Sequence, residues 1–161
     1  MCLTIGGNKS KPRIKNGKIR VYKTLGIHKN EDGVILFHSP FRGGIIHHGI
    51  NKSNRIFSKL TEEEKIRKDV EYGFHCFLSL SEAIDDSNEW VKYTVVVGCD
   101  IFKRDVIAVG QFDNTSGSLF TAQKPGLKDS LVCMKMSVDL KRIFHFNNSV
   151  SCHWKDIPKS Y

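Results

Sequence analysis

Gly73-Phe74-His75-Cys76-Phe77 brings a glycine, two aromatic rings, an imidazole and a thiol together in one short run. A glycine lets backbone approach a ligand while neighbouring side chains are fixed by a strand, so the run reads as the wall of a small-molecule site. Gly73, Phe74 and His75 are its candidate ligand contacts. His75 between phenylalanines is either a hydrogen-bonded, semi-buried histidine or a group that donates to a phosphate or moves a proton near neutral pH. A second cluster is Ser39-Pro40-Phe41-Arg42-Gly43-Gly44. Its double glycine permits exposed amides, Arg42 offers a fork for a phosphate, and Phe41 offers a ring for a base. An ordinary glycine-rich turn has the same composition, and the chain contains neither a P-loop nor a dinucleotide fingerprint.

A third candidate is Cys2. Removal of Met1 would leave its thiol beside a free α-amine of pKa about 7.7 to 8.0. Nucleophile and base then share one residue, as in amidohydrolases with an amino-terminal nucleophile, which makes Cys2 and His75 the candidate catalytic residues. Cysteine at this position also reads as a small buried residue. His47, His48, His75, His145 and His153 with Cys76 and Cys152 supply zinc-type ligands. Neighbours on a strand point to opposite faces, so neither His75-Cys76 nor Cys152-His153 chelates one ion, and no metal site is expected. Five widely spaced cysteines argue against a disulfide framework and for reduced thiols.

The net charge of +8 is unevenly placed. Residues 1–30 hold eight basic side chains and no acidic one, whereas the remaining residues carry 17 of each sign. Lys9, Lys11, Arg13 and Lys15 are therefore candidate nucleic-acid contacts of a salt-sensitive, sequence-independent kind, within a basic segment spanning 9–29. A solvated lead-in over 1–17, basic and partly extended, is the plainer alternative.

These groups need elements to hold them. Lys18 to Leu25 alternates basic and apolar residues and predicts the first core strand, with Ile19, Val21 and Leu25 inward. Val34 to His38 predicts a strand after the Glu31-Asp32-Gly33 turn, and Ile45 to Ile50 a short one. Thr61 followed by Glu64 is a capping-box pattern that opens a short exposed helix, and Ser79 or Ser81 caps a second helix running from Ala83 to Trp90. Tyr93 to Cys99 and Val106 to Gln111 read as a hairpin turning at Phe102–Asp105, and Leu131 to Val138 as one strand. Asn114 to Gly126 reads as a loop. Six or more strands with two or three short helices give an α+β fold with a mostly antiparallel sheet, in one domain over 1–161. No run is long enough to span a membrane and no secretory pattern opens the chain, so a soluble cytoplasmic protein is expected.

Met1-Cys2-Leu3, Val21-Tyr22-Lys23, Ser39-Pro40-Phe41 and Gly73-Phe74-His75 resemble a group of small uncharacterised phage and bacterial proteins over roughly residues 1 to 110. In that group the last block has Ser where this chain has Cys76. The resemblance implies mobile-element biology, such as counter-defence, and carries no activity with it. Val21-Tyr22-Lys23 and Tyr72 to Ser79 also resemble, in order, the first strand and the Gly-aromatic strand and helix of ADP-ribosyltransferase-like folds. That likeness implies a split sheet in which Lys23 and His75 face a nucleotide with Arg42 near its phosphates. The chain departs from the pattern in having Lys23, or Arg20, in place of the first-strand Arg or His. It also lacks the late catalytic Glu, with Asp139 and Gln111 the nearest substitutes.

The reading that results is a domain that binds, and in an enzyme would process, a nucleotide or NAD-derived phosphorylated small molecule. The alternatives are a hydrolase or transferase using Cys2 and a nucleic-acid-binding module using the basic segment. Cofactor, oligomeric state and ligand identity are left open by the sequence.

Overall fold

The computed structural model describes residues 3–40, 44–90, 93–113 and 127–147. In them the chain forms β1 (Leu3–Ile5), β2 (Ile14–Lys15), β3 (Lys18–Lys29), β4 (Ile35–His38), β5 (Ile45–Ile46), β6 (Gly49–Lys52), helix α1 (Glu62–Arg67), β7 (Asp69–Val70) and β8 (Phe74–Phe77). Helix α2 (Leu80–Glu89), β9 (Thr94–Phe102), β10 (Val106–Asp113), β11 (Leu127–Cys133) and β12 (Lys135–Phe146) complete it. All the strands join one antiparallel sheet whose main path is β6-β12-β9-β3-β8-β11-β10-β1-β7, with β2, β4 and β5 attached through β3. The fold is α+β, dominated by the sheet.

The sheet has two halves joined at β3 and β8 by a single ladder pair, Tyr22 opposite Phe77. On its other edge β3 pairs continuously with β9 from Lys18 to Gly26. Its edge toward β8 is instead shared by β2 at Lys18 and Ile19, β8 at Tyr22 and β4 from Gly26 onward. Lys23, Thr24 and Leu25 therefore face a gap between β8 and β4. The sheet also curls: the Cys76 thiol on β8 reaches the Met136 sulfur on β12 at 4.0 Å. Three strand spacings would separate them by roughly 14 Å in a flat sheet.

The core lies on both faces. Val95, Val96 and Val97 are fully buried, Val95 and Val97 within the curl and Val96 beneath α2 with Phe77, Ala83 and Phe112. An unbroken apolar run is what a strand covered on both faces requires, and each buried valine contributes roughly 1.5 to 3 kcal/mol. α2 starts where the Ser79 hydroxyl accepts from the Glu82 amide. It packs through Ala83, Asp86 and Ser87, which the 3.6-residue period puts on one side.

Three expectations are corrected. The Lys18 strand is the third, because Leu3–Ile5 already forms a strand between β10 and β7 with Leu3 wholly buried. Residues 3–5 accordingly belong to the sheet, and Asp129 secures the chain that follows by accepting the Lys9 and Ser10 amides at 3.0 and 2.6 Å. β9 and β10 do not form a hairpin: the 3₁₀ turn Lys103–Asp105 carries the chain from one half of the sheet to the other. Likewise Leu131 to Val138 is broken at Met134 into β11 and β12, which lie in different halves. The two crossings are tied together by the Met134 amide donating to the Asp105 carbonyl at 2.8 Å.

β1 lies so close to β10 that a Cβ on Gly110 would collide with the Thr4 carbonyl. Gly110→Ala should therefore lower stability by about 1 to 3 kcal/mol. Urea unfolding checks this: an unchanged midpoint would contradict the packing of β1 on β10.

Candidate functional site

The gap in the edge of β3 is the floor of a cleft of about 560 Å³. Lys23 and Thr24 line it from β3, Phe74 to Phe77 from β8, and Asp86 on α2 with Phe112 and Ser130 from behind the fork. Gly44 to Ile46, Asn51 to Arg55 and Glu71 to Gly73 form the mouth. Lys23, Gly73, Phe74 and His75, separated by some fifty residues of sequence, thus share one cavity. Phe41, Arg42 and Cys2 lie outside the described residues. Ser39, Pro40 and Gly44, which flank the first two, are in the lining, and the Ser39 amide donates to the Gly44 carbonyl at 2.9 Å.

Lys23 is 6% exposed, and its ammonium donates to the His75 carbonyl at 2.8 Å across the fork. Phe77 and His75, two apart, turn their backbone polar groups toward β3, but only Phe77 finds a ladder partner there. Lys23 thus satisfies a carbonyl that the diverging strands leave unpaired. It makes no ion pair with a carboxylate among the described residues, and two of its three N–H donors are unaccounted for by them.

His75 has a different character from the one the sequence implies. Its Nε2 lies 3.2 Å from the Glu71 carbonyl, which can only accept, so Nε2 carries the proton and Nδ1 a lone pair. That Nδ1 is buried without a hydrogen-bond partner. Burial, and then the Lys23 charge, push the imidazole down to about 4. The ring is neutral at physiological pH and cannot donate to a phosphate from Nδ1; it accepts. Gly73, at φ 125, brings the chain close to β11, where a Cβ would stand 2.5 Å from Val132. Below Lys23, the Cys133 and Cys99 thiols, and behind them the Lys23 ammonium, draw the buried Cys76 thiol below the usual range.

Two lining residues have roles that the sequence left unread. Arg55 is saturated: Nε donates to the Phe57 carbonyl, one terminal nitrogen to Glu64 and the Tyr72 carbonyl, the other to Glu64 and the Lys59 carbonyl. It is a staple that fastens segment 53–61 and Tyr72 to α1, with no donor left for a ligand. Asp86, 3% exposed, touches the Trp90 indole nitrogen at 3.4 Å and the Thr24 hydroxyl, which also reaches the Ala83 carbonyl. Burial pushes its carboxyl up to about 6, opposed by Thr24, Lys128 and Trp90 and helped by Glu89. Spacing along α2 was the available clue, since Asp86 falls on the helix side that carries Ala83. The substitutes for a late acid are elsewhere: Gln111 bonds Asp129 at 3.3 Å, and Asp139 stands near His48 on the surface. Lys9, Lys11, Arg13 and Lys15 are all exposed. Among the described residues, no three His, Cys, Asp or Glu side chains are grouped to hold a metal ion.

The two carboxyls make opposite demands of pH. Arg55 holds Glu64 down to about 2, so its contribution is complete above the ordinary value of 4.5 and is lost as pH falls toward 2. Glu64→Gln should cost on the order of 2 kcal/mol at pH 7 and flatten the acid limb of stability between pH 4.5 and 2. An unaltered acid limb in urea unfolding would remove the staple from the explanation. For Asp86 the folded value lies above the ordinary 3.8, so ionisation costs stability progressively from pH 4 to 6 and fully above. Asp86→Asn should raise stability by up to about 3 kcal/mol at pH 8 and lose that advantage below pH 4, read from thermal unfolding at each pH. No protein-family model, curated protein or solved structure matches the chain.

Proposed function

We propose that the cleft binds a nucleotide or an NAD-derived phosphorylated small molecule, with an anionic group seated at Lys23. The observation that carries this reading is a buried ammonium on the cleft floor that, among the described residues, bonds a carbonyl and no carboxylate. A buried charge held so sparsely is costly, and an anion entering the cleft would relieve it. The cavity is of the size that small-molecule sites have. Tyr72 and Phe74 supply aromatic surface for a base, and Asn51 and Ser53 supply polar edges at the mouth.

The neutral His75 refines the fit. Its bare Nδ1 asks for a donor, such as a hydroxyl or an amide N–H, rather than a phosphate oxygen. A ligand carrying an anion and a separate donor group answers Lys23 and His75 together, as a nucleotide does with its phosphate and its ribose hydroxyls or base N–H groups. The resemblance of Val21-Tyr22-Lys23 and Tyr72 to Ser79 to ADP-ribosyltransferase-like folds, which rests on the sequence alone, implies a ligand of the same class.

A thermal-shift titration with NAD, ADP-ribose and nucleoside mono- and diphosphates tests the proposal. Ligand at a hundred times its Kd should stabilise wild type by about 2.7 kcal/mol, and Lys23→Met should abolish that shift. Methionine retains the apolar stem, so the unliganded variant should remain folded. If no nucleotide shifts wild type, or if Lys23→Met responds as wild type does, the proposal fails.

A further inference from the structure

The face of the sheet that turns away from the curl is open beyond α2, and register fixes what stands there. Lys15 is directly opposite Lys18, and Lys18 is directly opposite Phe102. Two positions before Phe102, Asp100 is opposite Ser137, which is opposite Ile50; two positions before Ser137 and two after Ile50, Lys135 faces Lys52. Residues two apart share a face, so Lys15, Lys18, Phe102, Lys135 and Lys52 make one row across β2, β3, β9, β12 and β6. The alternate residues Ile19, Ile101, Met136 and Asn51 are buried on the other side.

The row consists of two lysine rungs flanking an aromatic ring that is 43% exposed. Like charges directly opposite in an antiparallel pair oppose folding, and none of the four lysines has an acidic partner among the described residues. Arg20 on the same face is already neutralised by Asp100 at 2.9 Å. The ring is dressed with further cations: the Lys18 ammonium lies 5.3 Å and the Arg104 guanidinium 4.8 Å from its centre. A second such pair, Arg142 over Phe144 at 4.7 Å, stands beside Tyr22 on the same face. Gly98 beneath them has no side chain to obstruct it; a Cβ there would lie 2.6 Å from Arg20 and 3.1 Å from Phe144.

We infer that this row binds single-stranded nucleic acid, its phosphates on the two lysine rungs and a base on the Phe102–Arg104 stack. Four strand spacings give the row a length of roughly 19 Å, and an open sheet of this width accommodates two or three stacked bases. The occupant is polyanionic because the lysine rungs repel one another without it, and it carries flat rings because the cations are arranged around exposed aromatics. The surface differs from the basic segment singled out in the sequence, of which only Lys15 and Lys18 belong to the row. It meets the nucleotide cleft only at Lys52, which stands at the mouth, since Lys15, Lys18, Phe102 and Lys135 do not line that cavity.

Fluorescence anisotropy of a labelled twelve-nucleotide oligo(U) or oligo(dT), titrated with the full chain at 25 to 200 mM KCl, tests the inference. Wild type should bind with log K falling against log salt at a slope of about −3, from about −0.7 for each of four phosphate contacts. Phe102→Ala should weaken binding roughly tenfold without altering the slope. Lys18→Gln with Lys135→Gln, one from each rung and neither lining the cleft, should flatten the slope by about 1.4. The same double variant should raise the Tm of the free protein, which shows that lost binding is not lost folding. The inference is overturned by absence of binding at 25 mM KCl, by Phe102→Ala binding as wild type does, or by tighter binding to duplex or to phosphatidylserine vesicles than to the single strand.

Discussion

One side chain reconciles the two halves of this sheet. Where β3 and β8 part after Tyr22 and Phe77, the sheet must either continue its ladder or leave backbone groups unpaired in a closed space. The Lys23 ammonium resolves this by reaching the His75 carbonyl across the fork. The fork then stays open, and the cleft exists because it does. Its cost is a charge in a low-dielectric place, where burial first and the Lys23 charge second keep His75 neutral, and where Cys133 and Cys99, with Lys23 behind them, draw down the Cys76 thiol. The Lys23 charge thus acts on both His75 and Cys76 from a strand otherwise facing the core with Ile19, Val21, Leu25 and Ile27.

The walls of the cleft obey a similar rule. Segment 53–61 exposes Ile56 and Phe57 and has little apolar burial to hold it, yet the Arg55 guanidinium spends every donor in fixing it to α1 and Tyr72. The Asp129 carboxylate does the same for the chain after β1 by collecting two amides. Both are local ties made by one ionised group to several backbone partners. Such ties hold irregular segments where a packed core cannot.

Much of the architecture was legible in the residues, and the failures have physical causes. The capping box at Thr61 and the cap at Ser79, one of the two serines offered, are local signals written in positions three apart, and both appear in the structure, with α2 starting at Leu80 rather than Ala83. The alternation from Lys18 likewise yields β3. Strand partnership is not local. Phe102 to Asp105 has the look of a hairpin turn, but whether β9 pairs with β10 depends on β3 and β12, which outbid it for both edges of β9. Leu3–Ile5 is too short for any period to show. At the site, the glycine-aromatic run and Lys23 were visible as residue types. The tautomer of His75 was not, because it is set by the Glu71 carbonyl; nor was the role of Arg55, which rests on acceptors gathered by folding.

The insertion of β1 between β10 and β7 bears on how the chain reaches this state. Leu3 pairs with Phe112, about a hundred residues further along, whereas β7 is its other neighbour. A growing chain emerging from a ribosome exposes Leu3-Thr4-Ile5 long before the strand that flanks it has been made. The closing of that ladder is a late, entropy-limited event, and proteins rich in such distant pairings acquire their native form slowly. Until then an apolar strand with two bare edges is an adhesive for other chains, so the yield of native protein is set by how long β1 must wait.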